Sequence, residues 1–230
     1  MQTINQNIII GMGKQLIAVR HAESTFIADY HSKQDELTNN EVTLSPYERE
    51  KVYVEWAVQP QYVDACLSQL GEAQCLQLEL PSQIYHVVYV SPLRRTVQTA
   101  CLALQKHPSK ASLVIKLEPR LKEFMSYQNT LLVSKSALLS FCADMSAQYS
   151  LCIDSSFLEP FGEYWFWESH PSKDKAAELL SIVPAESDLS AGFDIEVLRQ
   201  LKHKAMTVLP GNNETQREMF VRTESFKHQI

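Results

Sequence analysis

"IYHVVYVSPLRRTVQTACLALQKH", residues 84–107, carries two structural periods back to back. Ile84 to Val90 is β-branched and aromatic, as a central strand is. Ser91-Pro92 ends that run, and the segment beyond reads as a helix with Pro92 at its start. Val97, Ala100, Cys101 and Leu104 are spaced i, i+3, i+4 and i+7, which buries one helix face. "SLVIKL", residues 112–117, is a further short apolar run. Strand, helix, strand in this order predicts a right-handed βαβ unit in a mostly parallel sheet.

Upstream, "LSQLGEAQCLQLEL" (67–80) reads as helix. Ser68 is placed to cap it, Gly71 falls in its first turn, and Ala73, Leu76 and Leu80 share a face. Leu16 to Val19 reads as a short buried strand. Phe26 to Asp64, polar and broken by Pro46 and Pro60, reads as a long excursion with one short helix. Downstream, a helix is predicted near Ser136 to Gln148, then an aromatic cluster from Phe161 to Trp167. The cluster fits packing better than a pocket lining. "ETQREMFVRTESFKHQI" (214–230) reads as a terminal helix. No repeat or low-complexity linker divides the chain. The expectation is one α/β domain over 1–230, a three-layer α/β/α sandwich with a mostly parallel central sheet and insertions at about 26–64 and 125–190.

The 230 residues are 45% hydrophobic and 21% charged, with a formal net charge of −6 and a pI near 5.7. This is ordinary globular composition. The acidic balance argues against a nucleic-acid partner, which needs a basic face. Five cysteines without CxxC spacing read as reduced thiols and give no support to a metal site. The first residues lack the basic start and apolar core of a signal peptide, and no apolar run is long enough for a membrane span. The expected location is cytoplasmic. "IIIGMGKQ" (8–15) fails as a P-loop, because Ile8 stands where the first glycine belongs and Gln15 where Ser or Thr belongs.

Chemistry gathers where apolar runs stop. "QLIAVRHAES" (15–24) ends its run on Arg20 and His21. In open α/β sheets ligands sit beyond the carboxyl ends of strands. An arginine offers a planar fork of donors to phosphate or carboxylate, and a neutral imidazole beside it can attack phosphorus. Ser91, Arg94 and Arg95 stand past the second strand at a helix start, where anions are favoured and bare cations are not. "LEPRLKEF" (117–124) comes after the third run with two carboxylates, Glu118 and Glu123, either of which suits proton donation to a leaving oxygen.

"RHAES", "LSQLGEAQC", "SPLRRTVQTA" and "LKEF", in this order, resemble the histidine phosphatase superfamily, also called phosphoglycerate mutase-like. The resemblance spans Gln15 to about Phe124 and implies roles residue by residue. His21 is the nucleophile that becomes phosphohistidine. Arg20 and Arg95 clamp the phosphate; Arg95 rather than Arg94 matches, because the family arginine directly precedes the threonine. Glu123 is the proton donor, and Ser24 lines the phosphate pocket. No cofactor or metal is implied, since side chains do the positioning and charge neutralisation. The implied activity is hydrolysis of phosphomonoesters on a phosphorylated small molecule or phosphoprotein.

Two departures stand out. Ile27 lies close to where the family often carries a phosphate-contacting asparagine. The family's second histidine, at the end of an apolar strand, has no match, for none of His86, His107, His170, His203 and His228 comes after such a strand. The chain is therefore expected to end before that strand, at the C-terminal side of the domain. Mutase-type phosphotransfer and a catalytically inactive binding or scaffold protein are the alternatives, the second favoured by the missing histidine. Oligomeric state is not legible.

Overall fold

A computed structural model describes residues 6–11, 14–39, 45–57, 59–122 and 133–168, with positions 177, 181 and 200. Its centre is the βαβ unit that residues 84–117 encode. Strand β3 (Val87–Val90) pairs in parallel with β4 (Val114–Leu117), register Val87 to Val114, and β4 pairs in parallel with β5 (Cys152–Asp154). The order β3-β4-β5 matches chain order. Helix α4 (Arg94–Leu104) connects the first pair and α5 (Lys135–Tyr149) lies between β4 and β5 in sequence. Right-handed crossovers in a sequential sheet put both helices on one face, and α4 does pack against α5.

Period-two alternation decides which side chains meet those helices. Val90, Ile115 and Leu117 are buried, as are Val97, Cys101 and Leu104 of α4 and Leu138, Cys142 and Met145 of α5. Trp165, in α6 (Trp165–Glu168), closes this core, fully buried, with its indole N–H donating to the Val133 carbonyl at 3.2 Å. Val87 and Tyr89 point to the opposite face and are exposed. The α/β class and parallel sheet are as the sequence predicts. The predicted helix at 136–148 is α5, capped by Ser134, whose side chain accepts from the Ala137 N–H.

Several elements differ from expectation. Leu16–Val19 belongs to β2 (Lys14–Val19), which pairs antiparallel with β1 (Gln6–Gly11) in a separate two-stranded sheet. It is not a buried strand: Ala18, Val19 and Arg20 are exposed. Among the described residues its only strand neighbour is β1, and such a two-stranded ribbon covers little of its own apolar surface. The excursion holds two helices, α1 (Thr25–Asn39) and α2 (Pro46–Ala57), joined by an aromatic cluster of Phe26, Tyr30, Tyr53, Trp56 and Tyr62. Pro46 opens α2 at its first residue, where a missing N–H costs nothing. In α3 (Gln69–Leu76) the buried residues are Gly71 and Cys75, while Leu76 is 59% exposed. α4 starts at Arg94, two residues after Pro92, with Leu93 in the cap position.

Burial pushes up the thiol of Cys66, that of Cys75 to about 11, and those of Cys101 and Cys142 to about 12. All five cysteines are free, as the spacing predicts. Among the described residues no helix is long and apolar enough to cross a membrane.

Candidate active site

Residues 20–24 leave β2 as an extended segment held on three sides. From α4, Thr99 Oγ1 accepts the Ala22 N–H at 3.1 Å, while its own hydroxyl donates to the Arg95 carbonyl at 2.7 Å. From α3, Gln74 Oε1 accepts the Glu23 N–H at 3.0 Å. From the loop before α3, the Ser68 N–H donates to the Glu23 carbonyl at 2.9 Å, and the Ser68 hydroxyl donates to the Glu23 carboxylate at 2.7 Å. Ser68 also caps α3, accepting the Gly71 N–H at 3.0 Å, as the sequence predicts. Gly71 is needed for closeness. A Cβ there would lie 2.0 Å from the Glu23 carbonyl oxygen, a backbone atom that cannot rotate away. Gly71→Ala is therefore expected to destabilise the fold by roughly 1–3 kcal/mol, as overpacking does. A thermal melt unchanged from wild type would contradict the close approach.

This anchoring aims His21. Its Nδ1 is 2.7 Å from the Ala22 carbonyl oxygen. A carbonyl only accepts, so Nδ1 carries the proton and Nε2 has the lone pair. Arg95 Nε–H donates to that Nε2 at 3.2 Å. The contact joins residues 74 positions apart, and Arg95 is itself buried. The Arg95 guanidinium thus lies directly against the ring nitrogen that faces away from Ala22.

The two neighbouring arginines have different work. Arg94 turns to the loop before α3, where its Nε donates to the Asp64 carbonyl at 2.8 Å and its Nη2 to the Val63 carbonyl at 2.7 Å. Its N–H donates to Asp64 Oδ1 at 3.1 Å, so Asp64 caps α4 where Leu93 has no side chain able to do so. Arg95 turns to His21. The arginine that meets His21 is the one that directly precedes the threonine.

Of the other predicted residues, Arg20 is exposed beside His21, and no hydrogen bond or ion pair among the described residues holds it. Ser24 is buried, and its Oγ accepts the Ile27 N–H at 3.4 Å at the start of α1. Glu118, the other carboxylate of "LEPRLKEF", is fully engaged. Its oxygens take Arg120 Nε at 2.7 Å, Arg120 Nη2 at 2.6 Å and the Arg120 N–H at 3.0 Å. Burial pushes this carboxyl up, but the hydrogen bonds and charge of Arg120 outweigh it and hold Glu118 below the usual range. That suits a structural pair, not a proton donor. Glu123 lies outside the described residues, as do His170, His203, His228 and residues 214–230. His107 is a buried structural group stacked on Tyr85, with Nε2 3.0 Å from the Pro81 carbonyl. Among the described residues no three His, Cys, Asp or Glu side chains gather as metal ligands.

Sequence reading missed Thr99 and Asp64. Thr99 had a signal, being four residues after Arg95 and so on the same helix face. Asp64 had none, since it sits 30 positions before Arg94 at the end of a segment read as irregular.

Residues 53–131 match the family model of the histidine phosphatase superfamily (branch 1). The matched stretch contains Asp64, Ser68, Gly71, Arg94, Arg95, Thr99 and Glu123; His21 precedes it. That superfamily carries out phosphatase or mutase-type phosphoryl transfer. No curated protein matches the chain.

Proposed function

We propose that this chain, a histidine phosphatase superfamily sequence over residues 53–131, hydrolyses phosphomonoesters through a phosphohistidine on His21. The observation that carries the reading is the placement of His21, with Nδ1 2.7 Å from the Ala22 carbonyl oxygen and Nε2 facing the Arg95 guanidinium at 3.2 Å. In the resting protein Arg95 Nε–H sits on the lone pair that must attack. An entering phosphoryl group, with its negative oxygens drawn to Arg95 and Arg20, displaces that contact and puts phosphorus in its place.

The Nε2 lone pair then forms a bond to phosphorus as the ester P–O bond breaks, and the leaving oxygen takes the electron pair and a proton from Glu123. The Nδ1–H to Ala22 bond strengthens as the ring gains positive charge. Water next attacks the same phosphorus, the P–N bond breaks, and Glu123 takes the water's proton. Inorganic phosphate and neutral His21 are restored. Ser24 holds the turn that leads from the histidine segment into α1. Substrates of this class are phosphorylated small molecules or phosphoproteins.

The test is to trap the intermediate. Protein mixed with a labelled aryl phosphate and quenched in alkali is expected to carry label that survives base and is lost in acid, as a P–N bond requires. The label should map to the peptide containing His21. Turnover of that substrate without label at His21 would overturn the proposal. Turnover with no bisphosphorylated primer separates hydrolysis from mutase-type transfer.

A further inference from the structure

Asp64 is the least expected charge in the molecule. Its side chain is fully buried, and its backbone is left-handed at φ 44°. That conformation is uncommon outside glycine, although Asp tolerates it better than most residues. Oδ1 accepts the Arg94 N–H at 3.1 Å and lies 3.9 Å from Arg95 Nη1. Oδ2 lies 3.9 Å from Arg94 Nε and has no hydrogen-bond partner among the described residues. What favours the charged form is the pair of flanking guanidiniums, Arg94 Nε 3.9 Å from Oδ2 and Arg95 Nη1 3.9 Å from Oδ1. Burial holds this carboxyl above its usual range, and the charges of Arg94 and then Arg95 offset only part of that rise.

We infer that Asp64 is a positioning residue that aims the Arg95 guanidinium at His21. The chain of contacts runs one way. Arg94 grips the backbone of Val63 and Asp64, which fixes the Asp64 carboxylate under the start of α4. That carboxylate draws Arg95 Nη1 from one side, which leaves Arg95 Nε directed at His21 Nε2 on the other. At 3.9 Å the pull of Asp64 is electrostatic and lacks the grip of a hydrogen bond. A phosphate-binding arginine that must let go of His21 when substrate enters needs this kind of tether. The inference deepens the proposed function, because what Asp64 aims is the proposed phosphate-clamping arginine.

The test reads His21 directly in resting protein, by ring-carbon or ring-nitrogen NMR during a pH titration, in wild type and Asp64→Asn. Asn keeps the volume, the tolerance of left-handed backbone and an acceptor for the Arg94 N–H, and removes the charge. Among the described residues, the charged groups on the elements that hold the His21 segment are Arg20 and Glu23 on that segment, Arg94 and Arg95 on α4, Glu72 on α3, and Asp64 in the loop before α3. Two effects of the substitution oppose each other. Loss of an anion alone would lower the His21 pKa. Release of Arg95 would raise it, and Arg95 touches the ring while Asp64 acts from behind Arg95.

The expected result is an upward shift of about one unit, the size typical of a neighbouring charge. An Asp64→Asn/Arg95→Gln double variant should show no rise beyond Arg95→Gln alone. A His21 pKa unchanged or lowered in a folded Asp64→Asn protein would overturn the inference. If Asp64→Asn does not fold, Arg94→Lys carries the same test, since it keeps the positive charge, loses the two-pronged grip on the Val63 and Asp64 carbonyls and leaves the carboxylate. An upward shift supports the tether and its absence overturns it. A failed phosphoenzyme trap with an upward His21 shift removes the reaction and keeps the tether. A successful trap without the shift removes the tether alone.

Discussion

His21→Ala is expected to lower kcat for hydrolysis of a simple aryl phosphate by about four orders of magnitude or more, the scale on which removing a covalent nucleophile acts. The variant loses the group placed to accept phosphorus, so water must attack the ester directly. Substrate binding should survive, because in the proposed mechanism Arg95 and Arg20 hold the phosphate. Inhibition by inorganic phosphate should then change only a few-fold. The fold should survive too. Residues 22–25 are held through backbone groups of Ala22, Glu23 and Thr25, on Thr99, Gln74, Ser68 and Cys66, and none of those bonds uses the imidazole. Steady-state rates and a phosphate inhibition constant, measured side by side with wild type, separate lost chemistry from lost binding. A loss of less than about tenfold would mean that His21 is not the nucleophile.

The βαβ core was legible because residues 84–117 satisfy several local rules at once. β-branched residues switch to a helical period at Ser91-Pro92, and the helix buries the face that the spacing names. Agreement weakened where one rule had to decide alone. Leu16–Val19 was read as buried from its apolarity, but burial depends on what lies across a strand, and β2 has only β1 beside it among the described residues. Strand β1 runs into "IIIGMGKQ", whose failure as a P-loop says nothing of its conformation. Its three isoleucines with Gly11 after them also read as a strand running into a turn. In α3 the helix and its cap were legible, while the buried face was not. Gly71 and Cys75 are buried because Glu23 and Ala22 come close to them, and that approach is made by a segment about 50 positions earlier.

The same distinction runs through the site. His21 and Arg95 each carry a recognisable motif, and the structure brings them within 3.2 Å. Their supports carry almost no local pattern. Gln74, Thr99 and Asp64 matter because of which backbone groups they meet across the fold, and a side chain whose partner is distant in sequence looks like any other polar residue. The sequence did distinguish between Arg94 and Arg95, through the threonine next to Arg95. The physical reason appears only in three dimensions: consecutive helical residues point about 100° apart, so one faces the Asp64 loop and the other faces His21.

That division predicts the second large effect. Arg95→Ala is expected to lower kcat/KM by about a hundred- to a thousandfold, equivalent to roughly 3–4 kcal/mol of lost transition-state stabilisation, as when one preorganised donor to a developing oxyanion is removed. Arg95→Lys should recover only part of this, because an ammonium supplies charge without the planar fork that faces both Asp64 and His21. Arg94→Ala should behave differently. It removes two charge-assisted bonds to the Val63 and Asp64 carbonyls, so its main cost falls on stability, about 1.5–3 kcal/mol for each bond to a charged group. Its effect on turnover should be smaller and indirect, through Asp64. Paired thermal melts and kcat/KM values for the three variants decide the matter. Equal loss of turnover in Arg94→Ala and Arg95→Ala, with equal melting temperatures, would refute the separate roles that the geometry gives these adjacent residues.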